Sequence, residues 1–434
     1  MPGALLSAEL LTVAVQDSIP LAQSLLEEVR SLTADGAGVS REPYGRGEQL
    51  ALDALARTAA LLGVEQRIDP FGNLYITLPG MDRAAPAWLV GSHVDSVPAG
   101  GNYDGLAGVV AGVTALAAFR RAGVFPPWDI TVMAIRGEEL SAWYGGKHDG
   151  HIGSRAALGL LPAAELDSAV NSRSGRTLRG HIQDAGADPA AVGRGAPYLA
   201  PEKFRGYLEL HIEQGPVLQA RGIPVGVVSA IRGAVRGRSC RCLGAYTHSG
   251  AVPHELRSDA VMAAVELVHE LDAEWSRVRA AGGDLVVTVG KFFTDSRQHA
   301  LTKVPGEVEF SLDFRSGDEP TLASIRTFTE RLAAEIGRRR RVRFEFAPFS
   351  LLRPAAMDPA IRERLLAGSC DLGIAALEMP SGAGHDAQDF AHAGFRAGMI
   401  FVRNSHGSHN PEEAMDIADF TLGTRLLAWM LATS

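Results

Sequence analysis

The chain has 434 residues, 46% of them hydrophobic, with 42 Lys and Arg against 50 Asp and Glu and a net charge of −8. That length fits two domains, the acidic balance gives no reason to expect nucleic acid or an anionic membrane as partner, and no apolar run of about eighteen residues marks a membrane span. The odd set of Cys240, Cys242 and Cys370 suits a reducing cytoplasm better than a disulfide framework. The N-terminus lacks a basic region and carries an early acid, so it reads as the start of a helix and not as a signal peptide.

Taken in chain order, residues 18–63 read as helical, with a break over 33–38 (Thr-Ala-Asp-Gly-Ala-Gly). Phe71-Gly-Asn73 is a turn before a strand over 74–78. A second strand starts at Trp88 and breaks into the polar loop His93-Val-Asp95, which continues through Gly100-Gly-Asn-Tyr-Asp-Gly105. The small-residue stretch 108–119 predicts a helix that can approach a sheet closely. Residues 130–135 form an apolar strand ending in Glu138 and Glu139, 161–206 mix helix and surface loop, and 206–215 is another strand running into polar residues.

The pattern changes near Gly222. Residues 223–351 read as two strands, a helix over 258–280, strands over 285–290 and 307–314, a helix over 321–338 and a strand over 342–347. A small α+β domain with an antiparallel sheet and two helices is therefore expected within a larger α/β domain. The larger domain, made of 1–222 and 352–434, should hold a mixed, mainly parallel sheet flanked by helices, closed by a strand over 391–402 and a helix over 420–432. Cys240-Arg-Cys242 lies in a strand without a second cysteine pair and reads as structural. The basic run from Arg338 to Arg343 reads as a solvated helix end.

In open α/β sheets ligands bind beyond the carboxyl ends of the strands, and both acidic clusters fall there. His93, Asp104, Glu139, His211 and His409 would together make a two-metal site. Imidazole with carboxylate suits zinc, manganese, cobalt or nickel, and the two oxygens of Asp104 allow it to bridge. Asp95 can accept the other ring N–H of His93. Glu138 need not ligate and can act as a general base. The remaining histidines singled out (His148, His151, His181, His254, His269, His392 and His406) read as ordinary polar residues.

These residues sit in motifs: Gly91-Ser-His-Val-Asp-Ser-Val, Gly100-Gly-Asn-Tyr-Asp-Gly, Gly137-Glu-Glu, Gly153-Ser-Arg, His211-Ile-Glu-Gln-Gly-Pro, Thr247-His-Ser-Gly, Arg257-Ser-Asp-Ala, Asp313-Phe-Arg, Ser381-Gly-Ala-Gly-His-Asp-Ala and Gly407-Ser-His-Asn-Pro-Glu-Glu. The set resembles the amidase/hydantoinase/carbamoylase branch of the M20 metallopeptidase-like hydrolases, which includes N-carbamoyl-L-amino-acid hydrolases, β-ureidopropionase and allantoate amidohydrolases. The resemblance runs from about residue 38 to about residue 429. It implies a cytoplasmic hydrolase that cleaves the C–N bond of an N-carbamoyl amino acid or related linear amide. Two divalent ions per subunit would be held by His93 and His211, by Glu139 and His409, and by bridging Asp104, with Glu138 as general base. It further implies a homodimer, in which the inserted domain serves as lid and dimerisation domain and His248 acts across the interface on the developing oxyanion. Arg315 would hold the carboxylate of a small-molecule substrate, with Gln214 and His385 lining the pocket. An aminoacylase or dipeptidase with the same site, and an inactive ligand-binding relative, are the rival readings.

Two stretches depart from the family pattern. Relatives usually carry Asn-Ala-Ile-Asn before the Val-x-Pro-Gly turn, where this chain has His299-Ala-Leu-Thr302, so a hydroxyl stands where a substrate-binding amide is expected. The stretch after Glu139 lacks the usual Gly-x-Arg-Phe. Both would bear on substrate choice.

Overall fold

The computed structural model describes residues 2–145 and 150–433. The chain divides into two compact units, one of residues 1–229 with 357–434 and one of 230–356. The crossings between units fall at Ser229/Ala230 and Ala356/Met357, where sequence reading put boundaries at 222/223 and 351/352. They fall late because the strand after Gly222, Val225–Ile231, pairs with Ala397–Val402 of the first unit's sheet.

The first unit is built on a mixed sheet. From one edge the strands run Glu65–Ile68, Leu74–Leu78, Ile130–Ile135, Ala87–His93, Phe204–Ile212, Ala397–Val402 and Val225–Ile231. The middle four are mutually parallel, and the strands outside them pair antiparallel. The parallel strands are buried along nearly their whole length, as a sheet covered on both faces requires. Helix Leu106–Ala122 packs on this sheet, and it can do so closely because Gly108 has no side chain: a Cβ there would come within 2.0 Å of the Leu210 carbonyl oxygen. Helices Pro2–Leu32 and Ile417–Thr433 pack over it. The expected break at 33–38 is present, with the next helix at Arg46–Leu62. The closing strand is shorter than expected. Residues Asp386–His392 form a helix, and the strand begins only at Ala397.

The second unit is an antiparallel sheet centred on Gly233–Leu243 and Glu307–Ser316, with helices Ala260–Ala280 and Glu319–Arg340 packed on it. Strict alternation in Glu307–Ser316 turns Val308, Phe310, Leu312 and Phe314 to the helices, each contributing about 1.5–3 kcal/mol by burial. Asp259 and Asp318 cap the two helices by accepting from backbone N–H groups of the first turn. Among the described residues no helix is long and apolar enough to cross a membrane. His148 and part of the stretch following Glu139 lie outside the described residues.

Candidate metal centre

Four strand ends and loops of the first unit, bearing His93, His211, Glu139 and His409, converge around Asp104. His93 ends the strand Ala87–His93, and Asp104 precedes the helix Leu106–Ala122 by one residue, Gly105. Gly105 has φ +66°, and a Cβ there would lie 2.4 Å from the His93 ring, so only glycine lets the imidazole reach Asp104. His93 Nε2 lies 3.5 Å from Asp104 Oδ1, and His211 Nε2, from the neighbouring parallel strand, lies 3.2 Å from the same oxygen. On the other side of the carboxylate, His409 Nε2 lies 3.2 Å from Asp104 Oδ2 and 3.0 Å from Glu139 Oε1. His93, Asp104 and His211 thus form one group of potential ligands within 4.8 Å of one another, and Asp104, Glu139 and His409 form a second sharing the same aspartate.

The tautomers fit a cation. His211 Nδ1 lies 2.8 Å from the Ile212 carbonyl, and His93 Nδ1 faces the Asp95 carbonyl at 3.2 Å, so both rings donate from Nδ1. Their Nε2 atoms then face each other across 3.4 Å, with Asp104 Oδ1 beside them; His211 Nε2 accepts the Gly105 N–H at 3.2 Å, and Asp104 Oδ1 has no hydrogen-bond donor among the described residues. Acceptors converging in a buried site with one backbone donor among them suit a positive ion. Protons compete for the same place. Burial opposes charge on His93, yet its bonds to Asp104 and Asp95 outweigh this and hold it well above the usual histidine range. Burial likewise disfavours the Asp104 carboxylate, but His211, His409 and His93 hold it well below the usual carboxylate range.

Asp95 fixes the paired glutamates. Its two carboxylate oxygens accept the backbone N–H groups of Glu138 (3.0 Å) and Glu139 (2.9 Å), while Oδ1 also lies 3.3 Å from His93 Nδ1. Burial, with the neighbouring charges of Glu138 and Asp104, pushes Glu139 up to about 7. For Glu138 burial works in the same direction, but the adjacent His151 overrides it and the carboxyl sits at about 2.

Gln214 donates from Nε2 to Asp104 Oδ2 at 2.8 Å. His385 is buried edge-on against His211, with ring centroids 4.5 Å apart, and hydrogen-bonds Ser381 through Nε2 at 2.9 Å. Gln214, His409 and His151 all have left-handed φ between +60° and +63°. Each such residue costs on the order of 1–3 kcal/mol, a concentration typical of functional sites.

Several supporting residues escaped sequence reasoning. Buried Arg41 donates to the carbonyl of Val94 (2.6 Å) and the side chain of Asn102 (3.1 Å), clamping the loops that bear His93 and Asp104. Buried Glu48 accepts from Gly137 N–H (2.9 Å) and Arg136 Nε (2.6 Å), fixing the strand end before Glu138. Ser408 Oγ lies 2.6 Å from both Asp104 Oδ2 and Glu413 Oε2. One hydroxyl proton cannot serve two carboxylates, and burial together with the charge of Asp104 raises Glu413 above the usual carboxylate range. His151, expected to be an ordinary polar residue, instead contacts Glu138 directly at 3.1 Å.

Four predicted site residues, the catalytic candidate His248 and the substrate-binding candidates Thr302, His299 and Arg315, lie in the second unit. His248 is exposed on the short Thr247–His248 strand, paired antiparallel with Lys303–Val304. Its Nδ1 accepts the backbone N–H groups of Gly250 (3.1 Å) and Ala251 (3.2 Å), which leaves Nε2–H as a donor. The Thr302 carbonyl accepts from Ser249 N–H at 3.0 Å, so Thr302 shares a corner with His248. His299 Nδ1 lies 2.9 Å from Thr294 Oγ1. Arg315, on the sheet face away from the helices, pairs with Asp313 through Nε (3.1 Å) and Nη2 (3.0 Å).

An α/β protein whose parallel strands deliver imidazoles and carboxylates to one buried point belongs to the class of metal-dependent hydrolases. More particularly, residues 89–433 match the model of Peptidase family M20/M25/M40, and the chain belongs to that family. It is 32% identical over 410 residues to an N-carbamoyl-L-amino-acid amidohydrolase of Paenarthrobacter aurescens, covering 94% of this chain and 96% of the relative. It is 30% identical over 423 residues to an allantoate amidohydrolase of Escherichia coli, covering 94% and 96%. Among solved structures, an amidase of the hydantoinase/carbamoylase family from Burkholderia phymatum superposes with a TM-score of 0.80 at 29% identity, covering 95% of this chain and 96% of that one.

Proposed function

We propose that the protein is a metal-dependent amidohydrolase that cleaves the C–N bond of an N-carbamoyl amino acid or a related linear ureido acid. The observation that carries this reading is the pair of ligand groups sharing Asp104, with Glu138 next to one of the ligands. Relatives named for N-carbamoyl-L-amino acids and for allantoate support the substrate class. Two divalent ions of zinc, manganese, cobalt or nickel would be held by His93 and His211, by Glu139 and His409, and by Asp104 between them. When bound, such ions polarise a carbonyl and make water acidic near neutral pH.

The chain's own groups account for the rest. Glu138 accepts the proton of the attacking water and returns it to the departing nitrogen. His248, a donor at Nε2 because Nδ1 is occupied by backbone N–H groups, stabilises the developing oxyanion; such a donor is worth roughly 3–4 kcal/mol. Arg315 exchanges Asp313 for the substrate carboxylate in a bidentate pairing. Gln214, His385, Thr302 and His299 line the substrate. In this reading the second unit acts as lid and dimerisation domain, the enzyme is a cytoplasmic homodimer, and His248 reaches the partner's site.

The test is a panel of N-carbamoyl, N-acetyl and dipeptide substrates, scored by kcat/KM with metal-loaded enzyme. Preference for the ureido acids is expected, and a preference for N-acetyl amino acids or dipeptides would overturn the substrate assignment. The Glu138→Gln variant should keep its metal and lose turnover by at least about 100-fold.

A further inference from the structure

Glu138 is not held by the metal ligands alone. Its carboxylate faces His151, whose Nε2 lies 3.1 Å from Glu138 Oε1, and the opposite ring nitrogen, Nδ1, lies 2.6 Å from Asp389 Oδ2. All three side chains are nearly buried. With carboxylate oxygens at both ring nitrogens, each contact needs one proton, and an imidazolium supplies both. The main chain fixes the same register. His151 N–H donates to the Glu138 carbonyl (3.0 Å), Ile152 N–H to Gly137 (2.9 Å) and Gly153 N–H to Arg136 (2.8 Å), so residues 151–153 run as a short ladder against 136–138. His151 itself adopts φ +60° to make this contact. Asp389 comes from the helix Asp386–His392, directly after His385.

We infer that His151, oriented by Asp389, is a positioning residue that clamps the Glu138 carboxylate in the orientation needed to receive and return the proton. The inference rests on the proposed role of Glu138. The clamp lies at the end of the stretch that departs from the family pattern after Glu139. A carboxylate turned by a fixed imidazolium keeps one oxygen toward His151 and presents the other to the reacting atoms. Loss of the clamp therefore affects the chemical step more than substrate binding.

The experiment compares wild type, His151→Ala, His151→Gln, Asp389→Asn, Glu138→Gln and the Glu138→Gln/His151→Ala double variant. The readouts are kcat, KM, bound metal per chain and nitrogen-15 imidazole spectra. Removing His151 should lower kcat roughly 10- to 100-fold with bound metal unchanged and KM within about threefold. Gln, which can still donate to Glu138, should recover part of the loss. In the Glu138→Gln background, removing His151 should cost nothing more, because it acts through that residue. The spectra should show one histidine protonated at both ring nitrogens in wild type, absent from His151→Ala and altered in Asp389→Asn, whatever substrate the enzyme takes. That last readout separates failure of the clamp from failure of the proposed activity. A kcat within about twofold of wild type in His151→Ala, a full additive loss in the double variant, a singly protonated His151, or the loss of one bound metal per chain would each overturn the inference. The last outcome would instead make His151, Asp386 and Asp389 a metal site.

Discussion

The Nε2 atoms of His93 and His211 face each other across 3.4 Å, each ring having its Nδ1 directed at a backbone carbonyl. Neither nitrogen can serve the other without an added proton, and only His211 Nε2 has a backbone donor, the Gly105 N–H at 3.2 Å, so a cation bound by both rings or a proton on one of them would stabilise the pair.

Chelation should therefore do more than stop turnover. Stripped protein is expected to lose activity fully, to melt at a lower temperature at pH 8 than the loaded protein, and to recover both on return of zinc or manganese. His211→Ala should lower the metal bound per chain, measured by elemental analysis of the dialysed protein. A content equal to that of wild type would remove His211 from the proposed ligand set.

Gly105→Ala tests the cradle around His93. The substitution forces a left-handed φ on alanine and drives its Cβ into the imidazole. A loss of about 1–3 kcal/mol in stability is expected, with weakened metal binding. Chemical denaturation and a metal titration would measure both. A neutral result would mean that the loop can shift without disturbing His93.

Arg315→Lys separates carboxylate recognition from catalysis. A guanidinium gives two parallel hydrogen bonds where an ammonium gives a point charge, so KM for a carboxylate substrate should rise roughly 10- to 100-fold. The corresponding substrate carboxamide should be affected little. Equal losses on both substrates would argue that Arg315 supports the sheet through Asp313 instead.

Mixing His248→Ala with Glu138→Gln chains examines whether the donor and the base come from different subunits. Heterodimers should recover up to about half of one wild-type dimer's activity, since one of the two sites becomes complete. Absence of recovery in well-mixed heterodimers would place His248 in the site of its own chain.

The buried thiols give a pH prediction. Burial pushes Cys240 and Cys242 up to about 12 from 9.0, so the folded chain keeps both protonated where the unfolded chain has lost its protons. Stability from these groups is complete below pH 9 and declines as pH rises toward 12. Alkylation at pH 8 should accordingly modify only the exposed Cys370 in native protein. Labelling of Cys240 at that pH would show that the second unit opens.

The clustering imidazoles and carboxylates were readable because strand ends concentrate them. His93-Val-Asp95 and Glu138-Glu139 each follow an apolar run, and the register of parallel strands brings such ends together. Their supports were not readable in this way. Glu413 reaches the backbone of Tyr103 across 310 positions, and Asp389 reaches His151 across 238. No local pattern announces a partner so distant. His151 precedes Gly153-Ser-Arg and carries no mark in the sequence that separates it from an ordinary polar histidine. The late start of the closing strand has a local cause. Phe390, on the helix 386–392, packs face to face on Tyr207, 3.8 Å between ring centroids, so this apolar residue is buried from a helix and not from the strand that follows it.

Asp95 holds a ring on one strand and two consecutive amides beyond the next. One carboxylate thus ties the relative placement of His93, Glu138 and Glu139 across two strands. A lesion at Asp95 would leave every reacting group in place chemically while letting the three drift independently, and the enzyme would fail by loss of synchrony.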